Sequence, residues 1–301
     1  MTRVLVTGGT GLLGQALLHT SPDGWEVTAT FRRQLPPHEW RHHFRALDVG
    51  DEDAVLEAVS QLRPTIVIHT ASIGSVDVAE RDPESVRRIN LGGLQAVARG
   101  CERASARLAL ISSNAVFDGS RPPYAEDAPR QAVNAYGAIK IEAEEWLEQS
   151  GLPHVIFRPI MMYGWPLPGG RSNSVTRWLA DMEAGRPIDV ASDIVSMPLL
   201  VSNAADAIWE GVKGDCRGLY HLAGADRVTL ADFARETARV FGCPDSLVVP
   251  VPSTRFAGLA PRPLDTSFVT TKMAQQLGVR PIGIREGLLA MQRTRQHMAP
   301  R

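Results

Sequence analysis

A strand that runs directly into closely spaced glycines near the N-terminus constrains this chain more than any other feature. The aliphatic run Val4–Val6 predicts a buried strand, and glycines follow it three residues apart at Gly8, Gly11 and Gly14. A second register that starts at Gly9 also fits. Glycines in this setting let the backbone approach a pyrophosphate, and the amide groups at the start of the next helix favour its negative charge. The stretch therefore predicts a strand–turn–helix unit that binds a dinucleotide.

Strands and helices alternate with short connections through the first half of the chain. Further aliphatic runs predict strands at 25–30, 44–47, 65–69, 108–111 and 155–158. This alternation predicts an α/β fold with a doubly wound parallel sheet, in which ligands bind beyond the carboxyl ends of the strands. We expect a Rossmann core at 1–164 and a smaller C-terminal substrate-binding lobe at 165–301, with some segments of the lobe returning to the core.

The composition argues against several classes of protein. The chain has 301 residues and a net charge of −1, so it lacks the basic character of proteins that bind nucleic acid or membrane surfaces. Its three cysteines lack the spacing of a zinc site and indicate a reducing compartment. No signal-peptide pattern and no apolar run long enough to span a bilayer are present. We expect a cytoplasmic protein without a metal, and a homodimer is compatible with the sequence.

The end of the second predicted strand indicates which dinucleotide is preferred. A site for NAD usually carries an acidic residue about 20 residues past the glycines, where it bonds the ribose 2′-hydroxyl. Here that place holds Arg32 and Arg33, whose guanidinium groups suit a 2′-phosphate. The alternative is that both arginines are solvated charges at a strand end. The sequence therefore predicts NADP(H) as the preferred cofactor and NAD(H) as the second choice.

Residues at the ends of the neighbouring strands complete the predicted cofactor site. Thr70, Ala71 and Ser72 are small enough to let a cofactor lie across the end of their strand. Outside the catalytic group, the residues predicted to contact the cofactor are Gly8, Thr10, Gly11, Leu12, Leu13, Arg32, Arg33, Asp48, Val49, Thr70, Ala71, Ser72 and Asn90.

Ser113, Tyr136 and Lys140 form the predicted catalytic group. Tyr136 and Lys140 are four residues apart at the start of a predicted helix, so they share one face of it. A phenol has an ordinary pKa of about 10, and a neighbouring ammonium group lowers that pKa. Ser113 follows the strand at 108–111 and can bond the same carbonyl oxygen that Tyr136 protonates. The constellation predicts reduction of a carbonyl compound beside a nicotinamide.

Motifs spread over nearly the whole chain give it a resemblance to a known family. They lie at 7–14, 76–84, 112–119, 123–127, 136–140, 158–164 and 262–267. The chain resembles the extended short-chain dehydrogenases/reductases and, within them, the dTDP-4-dehydrorhamnose reductases. The segments 116–119 and 123–126 separate this group from most other extended reductases. The resemblance implies reduction of a 4-keto-6-deoxy nucleotide sugar with NADPH or NADH in deoxysugar biosynthesis.

The resemblance also implies roles for individual residues. Tyr136 would be the acid, Lys140 would hold the nicotinamide ribose and tune Tyr136, and Ser113 would bind the substrate oxygen. Arg171 and Arg262 are the candidates for a substrate pyrophosphate, because guanidinium forks match phosphate groups. The residues expected to contact the substrate are Ser113, Asn114, Val76, Met161, Arg171 and Arg262.

Departures from the family pattern leave other functions open. Met161 stands where the family usually has Trp, and a thioether stacks less well on a nucleobase, which leaves open a reductase of another carbonyl compound. Asn114 and Ala115 follow Ser113, so the carboxyl groups that dehydration needs are missing. A sugar-nucleotide 4-epimerase uses the same three groups, but the two arginines disfavour the tightly held NAD of such enzymes. A non-catalytic NADP-binding regulatory subunit is also open, because that of methionine adenosyltransferase resembles the same family.

Overall fold

The computed structural model describes residues 1–256 and 260–295. Its strands are β1 (Arg3–Thr7), β2 (Glu26–Phe31), β3 (Phe44–Ala46), β4 (Ile66–His69), β5 (Arg107–Ile111), β6 (His154–Pro159), β7 (Met162–Tyr163), β8 (Ile188–Ala191), β9 (Val195–Ser196), β10 (Leu199–Leu200), β11 (Gly218–Leu222), β12 (Val228–Thr229) and β13 (Val248–Val251). Its α-helices are α1 (Leu12–His19), α2 (Glu52–Leu62), α3 (Val76–Arg81), α4 (Pro83–Arg87), α5 (Gly93–Ala104), α6 (Ala135–Gln149), α7 (Ser174–Glu183), α8 (Val201–Lys213), α9 (Leu230–Phe241), α10 (Thr271–Gln275) and α11 (Ile284–Arg295).

Seven parallel strands form the central sheet, in the spatial order β11-β6-β5-β4-β1-β2-β3. The order reverses direction at β1, and ligands of such sheets bind beside that point at the carboxyl ends of the strands. The predicted α/β fold with a doubly wound parallel sheet is therefore confirmed. The edge strand β11 comes from the second half of the chain, and it pairs with β6 from Gly218 opposite Val155 to Leu222 opposite Pro159.

Helices cover both faces of the sheet, which is why its central strands are continuous apolar runs. On one face α1 and α8 enclose a core that includes Leu17 and Trp209. On the other face α2, α5 and α6 enclose a second core that includes Val55, Leu94 and Leu147. All four residues of β4 are buried between these two layers. This packing fixes the strand ends, and with them the loops that carry the predicted site.

A third core lies in the C-terminal half, between α7, α9, α11 and the short strand pairs. Its centre is aromatic, with Phe233 packed edge-on against both Tyr163 and Trp178 at centroid distances of 5.1 and 5.5 Å. The division at 164/165 stays a prediction, and the parts of the predicted lobe at 257–259 and 296–301 lie outside the described residues. Within the described ranges, no helix has the length and apolar character needed to cross a membrane.

The helical segment between β4 and β5 is interrupted. The structure has α4, then a π-helical stretch over Arg88–Gly92, and then α5. At the start of α5, Gly93 brings the backbone against Val49, where an added Cβ would lie 3.0 Å from the valine Cγ2. The interruption carries Asn90 into the protein interior behind the end of β4.

Candidate active site

The glycine turn after β1 is built by contacts that leave no room for side chains. Gly8 has a φ of +72°, a conformation that glycine adopts without strain. Its carbonyl oxygen accepts a hydrogen bond from the Gly11 amide at 2.9 Å. A Cβ on Gly14 would overlap that carbonyl oxygen and lie 2.6 Å from the Gly9 Cα. The turn therefore sets the start of α1 tightly against the end of β1. The first backbone amides of a helix have no hydrogen-bond acceptor within it, so those of α1 can bind a ligand.

A cavity of about 1850 Å³ runs from this turn along the carboxyl ends of the strands into the C-terminal half. All the predicted cofactor residues except Asn90 line it, and so do all the predicted catalytic and substrate residues. These are Gly8, Thr10, Gly11, Leu12, Leu13, Arg32, Arg33, Asp48, Val49, Thr70, Ala71, Ser72, Val76, Ser113, Asn114, Tyr136, Lys140, Met161, Arg171 and Arg262. Residues more than 250 positions apart in sequence thus share one cleft.

Asn90, which the sequence predicted to contact the cofactor, lies behind the cavity wall instead of on it. The residue is 4% exposed, and both ends of its amide bind the backbone of Ile73. Its oxygen accepts from the Ile73 amide at 2.8 Å, and its nitrogen donates to the Ile73 carbonyl at 3.2 Å. Since Ile73 lines the cavity, Asn90 shapes the wall through that residue.

The two arginines at the end of β2 differ in their contacts. Arg32 lies 3.6 Å from a carboxylate oxygen of Asp48, and both side chains are more than two-fifths exposed. Asp48 also accepts a hydrogen bond from the Gly50 amide at 3.0 Å, which holds the carboxylate at the end of the β3 connection. Arg33 is exposed at the cavity edge. Both guanidinium groups stand where the sequence predicted a 2′-phosphate.

The start of α6 is positioned by a cap and by a close backbone approach. The Asn134 side chain accepts a hydrogen bond from the Gly137 amide at 2.9 Å, as a helix N-cap does, and donates to the Pro261 carbonyl at 2.9 Å. A Cβ on Gly137 would overlap the carbonyl oxygen of Ala115. Because α6 packs this closely on the segment after β5, Tyr136 comes next to Ser113.

Tyr136 and Lys140 are both buried at the cavity floor. Burial raises the pKa of Tyr136 to about 12, while the Ser113 hydroxyl and the positive charge of Arg171 act to lower it. The Lys140 ammonium donates to the Ile111 carbonyl at 3.0 Å and lies 5.8 Å from the centroid of the Tyr136 ring. Two cations therefore lie near the phenol: Lys140, whose ammonium is bonded to the Ile111 carbonyl, and Arg171, which the sequence alone did not connect with Tyr136.

Ser113 is held at the end of β5 by the segment that follows it. Its hydroxyl oxygen accepts a hydrogen bond from the Ala115 amide at 3.1 Å, which caps a short 3-10 helix over Asn114–Val116. The Asn114 amide donates to the Thr266 hydroxyl at 2.7 Å and so ties this end of the sheet to the C-terminal half. The arrangement leaves the Ser113 hydroxyl beside the Tyr136 phenol in the cavity.

The two arginines predicted for the substrate have different surroundings. Arg262 forms an ion pair with Asp77 at 2.8 Å and donates to the Ala260 carbonyl at 2.8 Å. Its hydrogen bond to Asp77 holds the pKa of that carboxyl below its usual range. Arg171 is exposed on the loop before α7, close enough to Tyr136 for its charge to act on the phenol. Arg171 is therefore the more available of the two for an anionic ligand.

Sequence reasoning missed a buried ion-pair network beneath the floor. Glu144 and Arg158 are 0% and 1% exposed, and their side chains form two hydrogen bonds at 2.6 and 2.9 Å. Arg130 and Ser112 complete the set of groups around the carboxylate. The signal was present, because Glu144 follows Lys140 by four residues and so continues the face of α6 that carries Tyr136. Among the residues that the structure describes, no cluster of three or more His, Cys, Asp or Glu could hold a metal ion.

The glycine turn, the cleft and the buried polar group at the strand ends define a dinucleotide-dependent class of α/β protein. The family model described as "RmlD substrate binding domain" matches residues 1–296. The chain therefore belongs to this family, and the predicted resemblance to the dTDP-4-dehydrorhamnose reductases is confirmed.

Individual relatives support the assignment. A dTDP-4-keto-6-deoxy-D-glucose reductase of Streptomyces niveus is 32% identical over 264 residues, covering 87% of this chain and 86% of that protein. The methionine adenosyltransferase 2 subunit beta of Xenopus laevis is 27% identical over 297 residues, covering 95% and 87%. The crystal structure of dTDP-4-dehydrorhamnose reductase from Bacillus anthracis in complex with NADP is 26% identical, with a TM-score of 0.85 over 97% of this chain and 99% of that one.

Proposed function

We propose that the protein reduces a keto group on a nucleotide-activated 4-keto-6-deoxy sugar and prefers NADPH. The observation that carries the proposal is that Ser113, Tyr136 and Lys140 face the cavity that begins at the glycine turn. The reductases of Streptomyces niveus and Bacillus anthracis support the reaction class, and the second of these was crystallised with NADP. The same reading makes the protein an oxidoreductase.

The glycine turn fits a dinucleotide. A side chain at Gly14 would run into the backbone of the turn, and one at Gly8 into Ala71 and Thr70, so only glycines keep the turn this tight. A turn without side chains lets a pyrophosphate approach the amides at the start of α1. Arg32 and Arg33 would hold the adenosine end, and Lys140 would hold the nicotinamide ribose. When bound, the cofactor supplies the hydride.

Tyr136 is suited to donate the proton that accompanies the hydride. Its phenol is protonated at neutral pH, as a general acid must be before the reaction, but burial, which raises its pKa to about 12, makes it a weaker acid unless nearby positive charge stabilises the phenolate. Ser113 would hold the same substrate oxygen, and the positive charges of Lys140 and Arg171 would stabilise the phenolate left after proton transfer. Asn114, Val76, Met161 and Arg262 would contact the remainder of the substrate, as their places in the cavity allow.

The direct test is consumption of NADPH with dTDP-4-keto-6-deoxyglucose and with its 3,5-epimer, each offered separately. Turnover with one of the two sugars, followed by the absorbance of the reduced nicotinamide, is the expected result. Product analysis by mass spectrometry would show the gain of two hydrogen atoms. Binding of NADPH without turnover of either sugar would contradict the proposal and direct the search to another carbonyl substrate.

Similarity to the methionine adenosyltransferase beta subunits favours a second candidate function. Under this alternative the protein would bind NADP without turning it over and would act as a subunit of such an enzyme. The complete set of Ser113, Tyr136 and Lys140 in the cavity favours catalysis instead. NADPH binding without turnover, together with a mobility shift on mixing with a methionine adenosyltransferase catalytic subunit, would support the alternative.

Replacing both Arg32 and Arg33 by Ala is expected to weaken binding of NADPH much more than that of NADH. Each guanidinium can form charge-assisted hydrogen bonds with a 2′-phosphate, which NADH lacks, so an affinity loss of at least about tenfold for NADPH is expected. Fluorescence titration of both cofactors would measure it. Arg45→Ala is the control, because Arg45 is exposed on the neighbouring strand outside the cavity lining. Equal losses for the two cofactors would count against a 2′-phosphate role.

A further inference from the structure

We propose that Glu144 is a positioning residue for this reduction: it ties the end of β5, which carries Ser113, to the face of α6 that carries Tyr136. The inference rests on the proposed function, because it concerns the geometry of the same three groups. Glu144 itself lies outside the cavity lining and is fully buried, so it acts through its neighbours.

The Glu144 carboxylate is surrounded by donors on both oxygens. Oε1 accepts from the Ser112 hydroxyl and from Nε of Arg158, the latter at 2.9 Å. Oε2 accepts from a terminal nitrogen of Arg158 at 2.6 Å and from Arg130 at 3.1 Å. A buried carboxylate with this many charge-assisted bonds is held firmly, and removing its charge would leave Arg158 unpaired in the core.

Two successive residues at the end of β5 are bonded to two successive turns of α6. The Ile111 carbonyl accepts from Lys140, and the Ser112 hydroxyl donates to Glu144. On the other side, the Ser112 amide donates to the Phe157 carbonyl of β6 at 2.7 Å. Ser112 is thus fixed between α6 and the sheet. Because Ser113 is the next residue, the position of Ser112 determines where the Ser113 hydroxyl lies relative to Tyr136.

The two hydrogen bonds between α6 and the end of β5 fix the position of Tyr136 relative to Ser113. Tyr136, Lys140 and Glu144 are spaced four residues apart, so they lie along one stripe of α6. A shift of the helix along β5 by a fraction of a turn would break both bonds and change the distance between the Ser113 hydroxyl and the phenol. Positioning errors of about 1 Å cost roughly 100-fold in rate.

Glu144 also supports the charge on Lys140. Burial lowers the pKa of Lys140 to about 8, and the Glu144 carboxylate opposes that shift. The other titratable groups facing the ammonium are Tyr136 from α6, with a pKa of about 12, and His69 from β4, with a pKa of about 3. Burial raises the pKa of Tyr136 and lowers that of His69, in both cases away from neutrality, so Lys140 is the group whose titration the test follows.

Two variants separate position from charge. Ser112→Ala removes one bond to the carboxylate and leaves the Glu144–Arg158 ion pair in place, so we expect kcat to fall roughly tenfold or more, with KM for both substrates nearly unchanged. The alkaline limb of the kcat profile should stay where it is in the parent protein. Glu144→Gln should lower kcat as well and move that limb to lower pH, because the Lys140 ammonium then loses its proton more easily.

Glu148→Gln is the matched control. Glu148 is the next residue along the same helix face, binds the same Arg130 at 2.9 Å and is exposed, but it touches neither Ser112 nor Arg158. The same substitution there should leave kcat, KM and the pH profile unchanged. NADPH affinity and circular dichroism would confirm that each variant is folded, and Ser112→Ala keeps the test valid if Glu144→Gln does not fold.

The outcomes distinguish this inference from the proposed function. Two results together would support the positioning role. Ser112→Ala should lower kcat with KM unchanged, and only Glu144→Gln should move the alkaline limb of the kcat profile to lower pH. If the parent protein is active and both Ser112→Ala and Glu144→Gln have the same kcat and pH profile as Glu148→Gln, the positioning role of Glu144 is overturned and the proposed reductase activity is not. Absence of parent turnover would overturn the proposed reductase.

Competitive acetylation of Lys140, followed by peptide mass spectrometry, would then still test the Glu144–Lys140 coupling. An unchanged Lys140 titration in Glu144→Gln would overturn that coupling.

Discussion

Replacing Tyr136 by Phe is expected to abolish keto reduction while NADPH affinity stays nearly unchanged. The phenol is buried at the cavity floor and is the proton donor that we propose, and loss of a positioned general acid costs about 10²- to 10⁴-fold in rate. The ring itself packs in a small apolar cluster with Ile139, Val86 and Ala79, so Phe fills the same space. Steady-state turnover with the keto sugar and fluorescence titration with NADPH would measure the two effects separately.

Tyr220→Phe provides the matched control for removal of a phenol. The Tyr220 hydroxyl bonds to the Gln276 side chain at 3.2 Å, away from the cavity lining. Its loss should leave turnover nearly unchanged, because the hydroxyl contacts none of the proposed reacting groups. Unchanged turnover in Tyr136→Phe would remove Tyr136 from the mechanism. A parallel loss of NADPH affinity would instead indicate that the phenol mainly holds the cofactor.

Replacing Gly14 by Ala is expected to be the most damaging single-methyl change to cofactor binding. The new Cβ would overlap the Gly8 carbonyl oxygen and press on the Gly9 backbone, neither of which can rotate aside as a side chain would. Overpacking of this kind costs about 1–3 kcal/mol. If the turn opens to relieve it, NADPH affinity should fall roughly tenfold or more. Fluorescence titration and the urea midpoint of unfolding would report binding and stability.

Gly92→Ala is the control for that change, because the same methyl meets open space. Gly92 has helical dihedral angles, and among the described residues no heavy atom beyond its chain neighbours and the backbone of its own helix lies within 4 Å of its added Cβ. The variant should bind NADPH normally and be as stable as the parent, or more stable by up to about 1 kcal/mol. Equal affinities for Gly14→Ala and the parent would show that the turn does not contact the cofactor.

Local sequence patterns were sufficient to predict the parts of the fold that depend on neighbouring residues. The aliphatic runs marked β1 to β6, and the glycine spacing marked the turn, because a tight strand–turn–helix connection permits few other residues. The cleft residues at strand ends followed from a general property of parallel sheets, whose carboxyl ends meet at one edge. The roles of the site residues remain proposals.

Contacts that depend on side-chain direction across the fold could not be predicted. The sequence places Lys140 one turn from Tyr136, and in the structure its ammonium donates to the Ile111 carbonyl. Arg171, 35 positions from Tyr136, brings a second positive charge near the phenol. Asn90 looked like a cofactor ligand, but the π-helical stretch directs it into the interior. Nothing in a single sequence fixes such pairings, since they are set by how separate elements pack.

The seventh strand of the central sheet has a consequence for how proteins of this architecture can diverge. Because β11 closes the edge of β6, a chain cut after 164 would leave the backbone donors and acceptors of β6 open to pairing with another molecule. The N-terminal half is therefore not an independent module that could be exchanged between proteins. A change of substrate therefore has to be made within one continuous sheet rather than by exchanging a separate domain.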